Sequence, residues 1–234
     1  MTHAVEFHGF PDKALPFLQA LGFHQNREWF HENKKLYEQN CKTPLGDLVE
    51  TLSARFEAAK IPLRGTRKTS LYRVNRDVRF SKNKDPYNTH MSALLTRSGT
   101  KKDQGFVYMH FANDRSFIAS GFYGLESAEL RAFRELIMRE PDTMRKLTAE
   151  MSKHGIELDA SGSLKRLPRG FETDEEDIAH WLRLRQFAFT EEIDNAVIKT
   201  PEIADRLFEL GVRSMPFIEF GLRAVDSVRE PEPA

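Results

Sequence analysis

Residues 106–112 and 116–122 are two β-patterned runs separated only by Asn113, Asp114 and Arg115. Three such residues are a tight-turn signal, so the two runs pair as an antiparallel hairpin. A third run, 91–97, precedes them across the loop 99–105. A fourth, 186–190, places Phe187 and Phe189 on one face. Strands gathered together, rather than alternating with helices, argue for the α+β class and against a doubly wound sheet. The expected architecture is an antiparallel sheet of about four to five strands, packed with N-terminal and C-terminal helices.

The flanks read as helices. Pro11 and Asp12 open a first one carrying Leu15, Leu18 and Leu21, with Pro16 tolerated in its first turn and Gly22 past its end. Asn26 caps a second that carries Trp29, Phe30, Leu36 and Tyr37. Thr43 and Pro44 form a cap followed by an N1 proline, and Leu45, Leu48, Val49, Leu52 and Phe56 then define one buried stripe. Helices resume at Ser127, with Leu130, Phe133 and Ile137 inward, and after Pro141, with Gly155 as the residue past the end. Residues 156–172 read as loop with a short strand. Thr173 to Glu176 has the form of a capping box before Ile178, Trp181 and Leu182. Thr200 and Pro201 start a helix that Gly211 ends, Ser214 starts a last one, and 229–234 is a polar tail expected to fray. With no repeat, low-complexity block or Gly/Ser linker, the expectation is one domain over 1–234.

The segment 71–87 stands out for charge. At period 2, Tyr72, Val74, Val78 and Phe80 fall on one face of a strand and Arg73, Asn75, Asp77, Arg79 and Ser81 on the other, with Arg76 breaking the pattern. From Arg64 to Pro86 there are eight bases and two acids, 8 − 2 = +6, in a chain whose 35 basic and 35 acidic residues cancel. Guanidinium forks and ammonium groups gathered on one edge suit a phosphate or carboxylate. The interleaved Tyr72, Phe80 and Tyr87 suit base stacking. A second basic knot, Lys165, Arg166 and Arg169 around Pro168 and Gly170, reads as a loop, and convergence with the first segment would make one anion pocket.

Other chemistry is sparse. Cys41 is the only cysteine, which excludes an internal disulfide and any multi-cysteine metal site, and it reads as an ordinary helix cysteine. The histidines form no metal-ligand motif; His110 reads as a sheet-face residue, and His90 is better placed for acid–base work. Trp29 and Trp181 read as core. Neither Gly-x-Gly-x-x-Gly nor a P-loop occurs, so no cofactor is expected. The first ten residues lack the pattern of a secretory signal and no apolar run reaches the ~20 residues of a membrane span. Cytoplasmic localisation and no membrane partner are the expectations.

Several stretches together resemble one family. They are Gly9-Phe10-Pro11 with Phe17-Leu18 and Leu21, Asn26-Arg27-Glu28-Trp29-Phe30, and Arg76-Asp77-x-Arg79-Phe80-Ser81-Lys82-x-Lys84-x-Pro86-Tyr87. Gly121-x-Tyr123 and Leu164-Lys165-Arg166-x-Pro168-Arg169-Gly170 complete the set. Over about 7–220 the chain is similar to the domain of unknown function 2461 family. Its usual Asn-rich loop before Arg27 here reads Gly22-Phe23-His24-Gln25-Asn26. The resemblance implies a single-domain protein of bacterial or fungal type and carries no activity with it.

Two functions remain open on these residues. The first is binding of a phosphate-bearing or other anionic ligand, a small molecule, nucleotide or nucleic-acid end. Arg73, Arg76, Arg79, Ser81, Lys82, Lys84 and Tyr87 would hold it, with Lys165, Arg166 and Arg169 closing over it and Asp77 and His90 as candidate acid–base groups. The second is a protein-interaction module in which the Arg/Asp cluster is an internal brace. A ligand site leaves its arginines accessible; a brace pairs each with a carboxylate.

Overall fold

The computed structural model describes residues 6–229. Five strands, β1 (His90–Thr96), β2 (Phe106–Ala112), β3 (Ser116–Phe122), β4 (Glu157–Leu158) and β5 (Phe187–Ile193), form an antiparallel sheet in the order β1-β2-β3-β5-β4. The fold is α+β, and the hairpin strands fall where the sequence puts them. β4 pairs with β5, with Glu157 opposite Thr190 and Leu158 opposite Phe189. Gly121 explains how closely β3 meets β5: its φ is +127°, and a Cβ there would lie 2.2 Å from the carbonyl oxygen of Phe187.

The chain divides into two compact units. One holds the described residues up to Asp103 together with 107–118 and 191–210; the other holds 104–106, 119–190 and the residues from Gly211 onward.

In the first unit, α1 (Ala14–Phe23) starts two residues later than expected and contains Gly22 in its last turn. α2 (Arg27–Tyr37) is capped by Asn26, whose Oδ1 accepts from the Trp29 amide at 2.8 Å. Thr43, however, is no cap. The chain stays helical from α2 through a π-turn, Glu38–Lys42, into α3 (Thr43–Ala58). A proline inside a helix leaves the carbonyl four residues back without its donor, and a π-turn just before Pro44 relaxes that register. The α3 stripe is as expected: Leu48, Val49, Leu52 and Phe56 are fully buried, each worth roughly 1.5–3 kcal/mol relative to exposure. Leu36 is exposed, and Trp29 is half-buried against His24, with ring centroids 4.9 Å apart, rather than in the core. On β2, Val107, Met109 and Phe111 are fully buried while Tyr108 and His110 are half-buried, the period-2 pattern of a strand with two different faces.

The largest departure is 71–87, which is not a strand. A single bridge, Leu71 to Ala93, joins it to β1, and another, Asn75 to Tyr87, closes the segment on itself. Asp77 Oδ1 accepts from the Arg79 amide at 3.2 Å, and Asn83 Oδ1 accepts from the Asp85 amide at 2.7 Å. Both are turns in which a side chain takes the backbone N–H that a ladder would need. The two-faced pattern fails accordingly: Val74 is buried, but Phe80 is 95% exposed.

In the second unit, α4 (Ser127–Arg139) opens on a capping box between Glu126 and Glu129. α5 (Pro141–Ser152) ends before Gly155, which sits at φ +70°. α6 (Glu176–Arg183) starts later than the capping-box reading placed it; Thr173 Oγ1 accepts from the Glu175 amide at 3.1 Å and turns the chain instead. α7 (Glu202–Asp226) runs unbroken through Gly211 and Ser214. Ser214 is no cap, because its buried hydroxyl lies 2.6 Å from that of Ser120, which in turn donates to the Phe106 carbonyl. The core of this unit is aromatic. Phe133 stacks on Phe187 at 4.2 Å, and Phe122, Phe189, Phe217 and Phe220 surround them. Trp181 is buried, as expected. Arg229 is held by Glu129 at 2.7 Å, and the remainder of the expected frayed tail lies outside the described residues.

Candidate functional site

The basic segment of the first unit is a projecting loop whose two ends are fastened. Pro86 O accepts from the Arg76 amide at 2.8 Å, and Val74 O accepts from the Asn88 amide at 2.7 Å. Tyr87 is buried with its ring stacked on Phe30 at 4.4 Å, so it anchors the loop and presents no stacking surface. Lys84 Nζ donates inward to the carbonyls of Val78 and Arg79 at 3.0 and 3.4 Å, holding the tip in shape. Arg76 Nη1 donates to the Asp85 carbonyl at 3.1 Å.

The remaining groups face water. Arg79 is 77% exposed and forks onto Asp77, with Nη2 to Oδ2 at 2.6 Å. The hydrogen bonds from Arg79 hold the Asp77 carboxyl below the usual carboxylate range, which makes it a poor proton acceptor. Arg73 and Lys82 are exposed and in no ion pair among the described residues. Ser81 is half-buried, its amide donating to the Val78 carbonyl at 3.3 Å. Phe80 stands beside Arg79, whose guanidinium carbon is 5.9 Å from the ring centroid.

Beside the base of the loop lies a row of rings that sequence reading did not assemble. Tyr72 meets Tyr108 edge-on at 6.2 Å, and Lys101 sits 5.5 Å over Tyr72 while donating to the carbonyls of Thr69 and Leu71. His90 stacks on His110 at 4.2 Å, His110 on Phe117 at 4.8 Å, and Arg115 covers Phe117 at 5.1 Å. Burial lowers His90, against a weaker opposite pull from Asp114. Burial first, then the neighbouring His90 and Arg115, bring His110 down to about 4, again against Asp114. Both rings are therefore neutral at pH 7, and this stretch of the sheet is a neutral aromatic strip with a cation at each end. Only the alternation along each strand hinted at it; the cross-strand register that lines up the rings is not written locally.

Lys165, Arg166 and Arg169 belong to the second unit, on the exposed loop 164–171. None is in an ion pair among the described residues. Leu164 donates its amide to the Arg183 carbonyl at 2.8 Å, and Phe171 lies under Arg131 at 5.8 Å. The shallow depression on this unit, lined by Glu176, Asp177, His180, Trp181 and Arg183, includes none of the predicted residues.

Braces of the expected kind do exist, elsewhere. Arg67 bonds Asp47 and Glu50, and Arg145 sits among Asp142, Glu175 and Asp177. No group of three or more His, Cys, Asp or Glu placed to hold a metal occurs among the described residues. No helix there is long and apolar enough to cross a membrane.

Neither the curated proteins nor the solved structures contain a match to this chain. A family model does match, over residues 13–220, and that span includes both the anchored basic loop and the loop 164–171. The chain belongs to the DUF2461 family, described as conserved hypothetical protein.

Proposed function

We propose that the projecting loop 73–85 binds a phosphate-bearing ligand of the nucleotide or nucleic-acid type. Arg73, Arg76, Arg79 and Lys82 supply the cations, and Phe80 supplies the surface on which a base stacks. One observation carries the reading. Among the described residues, of the five cations from Arg73 to Lys84 only Arg79 forms an ion pair, with Asp77, and that pair is open to water beside a phenyl ring that is 95% exposed. Loop architecture supports it too, because the anchoring falls to Tyr87 and Lys84 and leaves the outer cations free to meet phosphate. The brace alternative fits Arg67 and Arg145 better than it fits this loop.

The test is a fluorescence-anisotropy titration of a short single-stranded oligonucleotide across a salt series. Binding is expected to weaken as salt rises, with a log–log slope of about −0.7 per phosphate contacted. Arg79→Ala and Phe80→Ala should each weaken binding while melting with wild type. Absence of binding at low salt, or a clear drop in melting temperature for Arg79→Ala, would return the loop to the brace reading.

A further inference from the structure

Arg134 is a cation on an apolar helical stripe. It lies on α4 beside Phe133 and one turn from Ile137, both fully buried, and is itself 7% exposed. Among the described residues, the one hydrogen bond of its side chain runs from Nη2 to the Leu184 carbonyl at 2.8 Å, and its buried Nε has no partner. It is in no ion pair among the described residues. A buried guanidinium with neither a carboxylate nor a full set of acceptors is costly, and an anion is one group that would complete it.

The surroundings are those an anion needs. Arg185 follows directly on Leu184, close enough to repel Arg134. The loop 164–171 is tied at one end to Arg183, through Leu164, and at the other lies against Arg131, one turn before Arg134 on α4. Both ties hold the two ends of the loop that carries Lys165, Arg166 and Arg169 against α4 and the end of α6. Of the acids on α4, Glu135 is taken up by Arg131 at 2.8 Å and Glu129 by Arg229 at 2.7 Å.

We propose that Arg134, Arg185 and the cations of loop 164–171 form an oxyanion site that takes phosphate or a phosphate monoester. Arg134 would provide the directional contact through Nη1, which no described residue engages, and Arg185 and the loop cations the surrounding positive charge. This site lies within the second unit.

The experiment is calorimetric titration and thermal shift of the full chain with inorganic phosphate, and separately with phenyl phosphate, against chloride at matched ionic strength. Wild type should bind and be stabilised. Arg134→Met should diminish the effect, and in an Arg79→Ala background abolish it. Arg185→Ala and Arg169→Ala, which change exposed residues, should weaken binding by about tenfold, as expected on losing a charge-assisted contact. Arg79→Ala should lose only the phosphate response that belongs to the loop 73–85 and keep the response that Arg134→Met removes, which separates the two. Tighter binding of phenyl phosphate than of inorganic phosphate would identify an ester as the ligand; the reverse would identify free phosphate. No response beyond chloride, or an undiminished response in Arg134→Met, would overturn the proposal. Should Arg134→Met fail to fold, undiminished binding by Arg185→Ala and Arg169→Ala would overturn it equally.

Discussion

The side-chain amide of Gln25 closes on the backbone of Tyr87, accepting from its N–H at 3.0 Å and donating to its carbonyl at 3.3 Å. One residue thus replaces two strand contacts at the point where the basic loop rejoins the fold. Gln25→Ala leaves both backbone groups of a buried residue unmet and should cost about 1–3 kcal/mol in urea unfolding. It should also weaken ligand binding at the loop although it removes no charge. Unchanged stability would show that the clamp is idle.

His110 gives the protein an acid-side weakness. Facing it are His90, Asp114, Arg115 and the Tyr108 hydroxyl, 3.2 Å from its Nδ1. Its folded value, about 4, lies below the ordinary 6.5, so the unfolded chain takes up the proton first. Stability from this group is whole above about pH 6.5 and drains as pH falls toward 4, by roughly 2–3 kcal/mol in all. Urea midpoints of wild type and His110→Phe at pH 7.5, 6 and 5 should converge or cross as the pH drops. Parallel curves would exclude His110 as the cause.

At Gly221 the helix is built around two rings. A Cβ there would lie 2.3 Å from Phe122 Cε2 and 2.4 Å from Phe133 Cε2. Alanine gains about 1 kcal/mol of helix propensity, but both phenyls are fully buried and have nowhere to swing. Overpacking should win, and Gly221→Ala should lose about 1–3 kcal/mol net in chemical unfolding. A rise in stability would mean that the rings give way.

Cys41 is sealed in the π-turn, with its Sγ 3.7 Å from the Ala14 carbonyl. Burial pushes the thiol up to about 12, so at pH 8 about one molecule in ten thousand carries the thiolate. Native protein should therefore resist a disulfide reagent for hours and react within minutes in denaturant. Fast labelling of native protein would show that this turn opens by itself.

The chain passes between the two compact units five times, at 103/104, 106/107, 118/119, 190/191 and 210/211. We expect a single calorimetric transition, with van't Hoff and calorimetric enthalpies equal, because β2, β3, β5 and α7 each continue from one unit into the other. Two resolved transitions would assign each unit its own stability.

Part of this protein was legible in its residues. The 106–122 hairpin follows from three turn residues between two alternating runs, and the α3 stripe from its 3.6-residue spacing, because both signals are local. Arg134 was also within reach, since a guanidinium falls among Leu130, Phe133 and Ile137 on one helical face, a conflict that marks a buried charge. Alternation misled at 71–87, where Asp77 and Asn83 could bond either the ladder or their own backbone, and local turns prevailed.

What the sequence by itself determined was the class of fold, the hairpin, the buried stripes and the two concentrations of basic charge. Each rests on spacing along the chain or on composition within it. Tertiary structure alone decided that Tyr87 is an anchor and Phe80 an exposed surface. It also decided that His90, His110 and Phe117 stack in one row, and that Arg134 is buried without a carboxylate. Those outcomes depend on which side chains meet across long separations in the chain. Packing geometry fixes such meetings, and no local pattern records them.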